Sequence, residues 1–258
     1  MLTFFIKKAF FDGWDNLLPL VLVNLGLLPL LSPLLAAGIP GLPAVLGIGL
    51  ALLVWFACFW WYAVAALVTL RWSDFGSFSF GDLPGALKKA IVPGLQMGAL
   101  VAAPALALVF GLPFYLSRGL FGALAAGVLL WGSLAWFLGL QFYFPLRFRL
   151  GGGFRKNFRK CFVLLFDNPG FSLFLFVWNG LTLLLSTFLA FLAPGIAGLA
   201  LAQNDAMRLR LLKYDWLEKE GGAGSPGRKT IPWKELLEEE NELVGKRTLR
   251  GMIFPWKE

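Results

Sequence analysis

The chain has 258 residues, of which 58% are hydrophobic and only 15% charged, with a mean hydropathy of +0.72; a soluble domain cannot cover its surface with so few polar groups. The composition is that of a membrane protein. Its 23 Lys and Arg outnumber 15 Asp and Glu for a net charge of +8, and with no histidine and two cysteines it excludes imidazole catalysis, His-ligated metals and a disulfide framework.

The first segment, IKKAFFDGWDN at residues 6 to 16, has the pattern of a basic amphipathic helix on a membrane surface. From Asn16 to Leu70 no residue is charged, a helical length of about 80 Å against a hydrocarbon core of about 30 Å. That length holds two crossings. The Gly and Pro of AAGIPGLP, residues 36 to 43, place a turn between a first span over 17–36 and a second over 43–70. Further uncharged runs give spans over 90–117 and 119–146, with Arg118 and Gly119 between them. The run from Asn168 to Asn204 fits a fifth span over 169–192 and a short sixth over 194–212, which brings Gln203, Asn204 and Asp205 near a membrane interface. Residues 1–214 form the membrane domain and 215–258 a tail, with a linker over 221–227, a short helix over 231–244 begun by Thr230, and an apolar end carrying Phe254 and Trp256.

The expected fold is therefore all-α, with six transmembrane helices in three hairpins. A gapless internal match supports the division, because IKKAFFDGWDN aligns with FRKCFVLLFDN at residues 158 to 168, and a shorter copy stands at Leu87, Lys88, Lys89, Ala90 and Ile91. Each copy precedes a hairpin as a basic amphipathic helix, and Asp15-Asn16 and Asp167-Asn168 are placed to cap the spans that follow. Six spans put every Lys and Arg except Arg118 on one side, so the positive-inside rule sets both termini in the cytoplasm.

Lys7, Lys8, Lys88, Lys89, Arg155, Lys156, Arg159 and Lys160 make up the basic rows. They either fix topology alone or form a surface for anionic lipid or a protein partner. Asn24, Gln96 and Asn179, with Gln203, Asn204 and Asp205, are the candidates for an intramembrane polar site; as isolated neutral groups the first three equally serve as hydrogen-bonding glue between helices. Gly94 and Gly98 form a small-xxx-small step, and the cluster Trp55, Phe56, Phe59, Trp60, Trp61 and Tyr62 supplies interfacial anchors and helix contacts. No phosphate-binding loop, metal-ligand set or acid–base pair for catalysis is present in the sequence, so no catalytic, cofactor or metal residue is assigned. In the tail, the glutamates of the short helix are expected against the basic rows, with Phe254 and Trp256 inserted in a groove or the interface; the alternative is a docking peptide for another protein.

The segment FRKNFRKCFVLLFDNPGFSLFLFVWNGLTLLL, with the APG turn and short last span after it, resembles the YesL-like family of bacterial integral membrane proteins. The resemblance covers residues 80 to 213 as a layout, and implies a bacterial cytoplasmic-membrane protein associated with carbohydrate uptake, without catalytic residues. Two functions follow as expectations. One is a non-enzymatic accessory or scaffold of a transport or signalling system, binding anionic lipid or a partner through the basic face and tail. The other is a small carrier or channel lined by neutral polar residues.

Overall fold

The computed structural model describes residues 1–37, 43–221, 231–245 and 247; the centre of the 36–43 turn, Thr230, most of the 221–227 linker and the end carrying Phe254 and Trp256 lie outside them. Every regular element among the described residues is helical. In chain order these are α1 (Leu2–Asp15), α2 (Leu17–Leu25), α3 (Leu28–Leu31), α4 (Pro33–Ala37), α5 (Ala44–Ser73), α6 (Leu83–Leu116) and α7 (Gly119–Leu140). There follow α8 (Tyr143–Arg149), α9 (Phe154–Asp167), α10 (Pro169–Phe188), α11 (Gly195–Gly221), α12 (Trp233–Leu236) and α13 (Glu238–Val244).

Among the described residues, five stretches are long and apolar enough to cross a membrane: Leu17–Leu35, Ala44–Ser73, Leu83–Leu116, Gly119–Arg149 and Pro169–Phe188. The first is broken into α2, α3 and α4, because Pro29 and Pro33 each lack a backbone N–H. The fourth bends at Gln141-Phe142, where α7 passes into α8. α11, expected as a sixth short span, is long enough but too polar to stand among these five. It is the central helix. It packs on α1, α2, α5, α8 and α10, and Ala197, Ala200, Leu201, Ala206 and Leu209 are among its buried residues.

The repeated unit is also less regular than the sequence implies. Basic helices stand before α2 and α10, as α1 and α9, but Lys88 and Lys89 lie within α6 itself. Pro84 starts that helix in its first turn and nothing separates the lysines from the apolar run that follows. Asn168 caps α10 as expected, accepting the Phe171 N–H at 3.1 Å. Asn16 makes no such cap; its side chain donates back to the Asp12 carbonyl at 2.9 Å.

α5 and α6 are held close by the glycine step. A Cβ at Gly94 would lie 2.5 Å from the Cα of Trp60, and one at Gly98 2.9 Å from the Phe56 ring, so only glycine permits this backbone approach. Three of the four tryptophans of α5 act as donors to neighbouring helices. Trp55, Trp60 and Trp61 give their indole N–H groups to the carbonyls of Gly98 at 3.0 Å, Leu87 at 2.9 Å and Val23 at 2.8 Å. The Val23 carbonyl is free for this because the Leu27 N–H turns to Asn24 at the break after α2.

The α10–α11 turn meets α2 only part way along the bundle. Asn24 Nδ2 donates to the carbonyls of Leu192 and Pro194, both at 2.9 Å, and its Oδ1 accepts the Ala197 N–H at 2.9 Å. Gly195, at φ +57, sits against this side chain, where any Cβ would collide with it. Trp61 of α5 is bonded at the neighbouring Val23, and α5 runs a further 25 Å or so from Trp61 back to Ala44 at ~1.5 Å per residue. The α10–α11 hairpin therefore ends well short of the far ends of α5 and α6.

Candidate functional site: a buried ionic layer

At the other end of the bundle, α1, α11 and the end of α5 enclose a set of charges. Lys8 was expected on the lipid-facing surface but is fully buried. Its Nζ donates to Asp12 Oδ2 at 2.7 Å, one helical turn away, lies 3.9 Å from Asp205 Oδ1, and sits 3.7 Å above the Phe75 ring centroid. The reason is pairing: α11 brings a carboxyl that a surface lysine would never meet, and an aromatic face supplies further cation stabilisation. Phe75 holds its ring there from a left-handed backbone, φ +58, just after α5 ends, a conformation uncommon for a bulky residue.

Asp205 is also fully buried, and neither of its carboxyl oxygens has a donor among the described residues. Asp12 and Asp205 thus face the same ammonium, at 2.7 and 3.9 Å. Two ionised carboxyls and one ammonium in a dry site would leave an excess negative charge, which a proton on one carboxyl would remove. For Asp12, burial raises the carboxyl above its ordinary range by more than Lys8 lowers it. The site can hold a proton.

Around this centre α5 bonds two polar side chains of α11. Gln203 accepts from the Tyr62 hydroxyl at 2.8 Å, and Asn204 Nδ2 donates to the Ala66 carbonyl at 2.9 Å and Thr69 Oγ1 at 3.0 Å. Nearer the surface, Arg149 of α8 donates to Asp74 at 2.8 Å and to Ser73 Oγ at 2.8 Å. Arg208 bridges Asp74 at 2.6 Å and Glu240 of α13 at 2.7 Å. Its guanidinium stands 5.1 Å from the Phe75 ring, so one ring serves both Lys8 and Arg208.

A second ionic group ties α11 to α9. The buried Arg210 donates to the Leu164 carbonyl at 2.8 Å, while Lys213 Nζ and the Tyr214 hydroxyl donate to Asp167 at 2.6 and 2.8 Å. Burial alone would raise the Asp167 carboxyl, but the bonds from Lys213 and Tyr214 outweigh it and hold the group below its ordinary range. Arg247 and Asp15 form a bidentate pair at 2.8 and 2.9 Å.

The tail helix seats on this end. It is broken at Leu237 into α12 and α13, with Leu237 and Val244 buried and Lys7 Nζ donating to the Gly245 carbonyl at 2.8 Å. Glu240 is its one buried glutamate and pairs with Arg208, outside the basic rows where the sequence put the contact.

Of the polar candidates, Gln203, Asn204 and Asp205 come together here, whereas Asn24, Gln96 and Asn179 do not. Asn24 binds the α10–α11 turn, Gln96 accepts from the Tyr143 hydroxyl, and Asn179 donates to Gln141 at 3.4 Å. Lys88, Lys89, Arg155, Lys156 and Arg159 are exposed, Lys160 is half-buried, and none of the six forms an ion pair among the described residues. Asp12, Ser73, Phe75, Arg149, Arg210 and Glu240 were not singled out in the sequence; only the four-residue spacing of Lys8 and Asp12 signals a pair. Compared with protein-family models, curated proteins and solved structures, the chain matches none.

Proposed function

We propose that the protein is a non-enzymatic accessory or scaffold of a bacterial cytoplasmic membrane, with both termini cytoplasmic, that binds anionic lipid or a protein partner through the basic rows on α6 and α9. The resemblance to the YesL-like family belongs to the same proposal, and suggests a transport or signalling system as its setting. The observation that carries it is the division of the cations. Lys8, Arg149, Arg208, Arg210, Lys213 and Arg247 are taken up by acids of the chain itself. Lys88, Lys89, Arg155, Lys156, Arg159 and Lys160 have no such acid among the described residues. Lysines and arginines at a membrane surface attract anionic headgroups by about 1 kcal/mol each.

The carrier reading finds less support, since Asn24, Gln96 and Asn179 are bonded into separate helix contacts and none of them lines the apolar groove between α2 and α10. Charge reversal of the six row residues tests the proposal. Loss of copurifying anionic lipid or of a specific protein partner, with insertion and folding intact, is the expected result. Unchanged retention of both would sink it.

A further inference from the structure

α2 and α10 both pack on α11, yet a groove of about 440 Å³ separates them. Its floor is Gly198, Leu201 and Ala202 of α11, small enough at two of three positions to give it depth. Its sides are Leu17 and Leu20 of α2 and Trp178, Leu181, Leu185 and Leu189 along α10 and its end. α1 roofs one end with Phe10, Gly13 and Trp14. Thr182 carries the one side-chain hydroxyl of the lining, and the volume falls in the ordinary range of ligand sites.

Three features choose the occupant. The walls are helices α2 and α10, both apolar enough to lie in a bilayer, with Leu181, Leu185 and Leu189 about half exposed along the rim, so the groove opens to lipid. Its length from Trp178 to Leu189 is about 16 Å at 1.5 Å per residue, close to half of a ~30 Å hydrocarbon core. It also stops at the α10–α11 turn, level with Asn24, so it ends inside the bundle's length. The roofed end carries the exposed Trp14 ring, with the Asp15–Arg247 ion pair next to it, a polar edge suited to a headgroup. A slot one leaflet deep, apolar along its walls and polar at one mouth, has the shape and chemistry of a single lipid tail.

We propose that this groove holds one acyl chain of a glycerophospholipid from the leaflet on the α1 side, with the headgroup outside at the Trp14 end. The proposal is independent of the basic rows, which lie on α6 and α9. An occupant here fixes α1 against α2 and α10, on the same helix whose other face buries Lys8.

Filling the groove tests it. A Cβ at Gly13 meets only Leu201 and Leu20 side chains, at 3.8 and 4.0 Å, so Gly13→Phe extends into the space without a backbone clash. Leu185→Trp closes the rim from α10, and Leu130→Trp, on lipid-facing α7, is the control. The full chain is purified from membranes in mild detergent and bound lipid is measured by native mass spectrometry. Wild type and Leu130→Trp should each carry a phospholipid that Gly13→Phe and Leu185→Trp lose. If Gly13→Phe does not fold, Leu185→Trp decides alone. Equal retention by folded filled variants, a lipid-free wild type, or equal loss in the control overturns the proposal. In vesicles of chain-brominated phosphatidylcholine, quenching assigned to Trp178 by comparison with Trp178→Phe should fall when the groove is filled; unchanged quenching overturns it too.

Discussion

Trp136 on α7 donates its indole N–H to the carbonyl of Leu100 on α6 at 2.9 Å, and that carbonyl is the one left without a helical donor by Pro104 four residues later. The sequence places a helix breaker in a membrane span, and the neighbouring helix supplies the missing bond. Trp136→Phe keeps most of the ring volume and leaves the carbonyl bare. The expected cost is about 1–3 kcal/mol, read as a lowered melting temperature in detergent; in a Pro104→Ala background, where the helix supplies its own donor, most of that cost should vanish.

Lys8→Met leaves Asp12 and Asp205 buried together without their cation. Breaking a buried pair costs about 3–5 kcal/mol, and chemical unfolding of the purified protein should show a loss of that order. Asp205→Asn removes the excess charge instead and should be neutral or stabilising. A loss for Asp205→Asn as large as for Lys8→Met would contradict an excess of negative charge at this site.

The two titrating ends of this layer respond to pH with opposite signs. Asp167 is held below the ordinary range, so its contribution is fully present above the unfolded value near ~3.9 and is lost as pH falls through the folded value. Asp12 is raised, so the folded state keeps its proton longer, and stability declines as pH rises from the unfolded value through the folded one. Melting curves across acid to neutral pH should show less acid loss in Asp167→Asn and a flatter decline in Asp12→Asn.

The tail helix is anchored by Leu237, Val244 and the Arg208–Glu240 pair. Leu237→Ala removes a buried side chain worth about 2–5 kcal/mol, more than a short helix can spare. Limited proteolysis should then cut within 231–245 much faster, while the membrane part stays intact. Glu240→Gln should have a smaller effect in the same direction.

The apolar crossings were legible because they depend on length, hydropathy and Gly-Pro punctuation, all local properties. α11 was not, since a helix surrounded by protein can carry Gln203, Asn204, Asp205 and Arg210 that a lipid-exposed one cannot. Lys8 was misplaced for the same reason. Its neighbour Asp12 is visible at four residues' distance, but Asp205 reaches it only through the fold. The tryptophans of α5 show the reverse case: their number is plain in the sequence, yet which carbonyls of neighbouring helices they reach is set only by the fold.

The early end of the α10–α11 hairpin gives the molecule unequal cross-sections. Beyond the level of Asn24 it consists of the first crossing's outer pieces with α5, α6 and α7, while on the near side α10 and α11 join them, with α1, α8 and α9 at the base. The bundle therefore carries more helices at the level of α1 than at the far ends of α5 and α6.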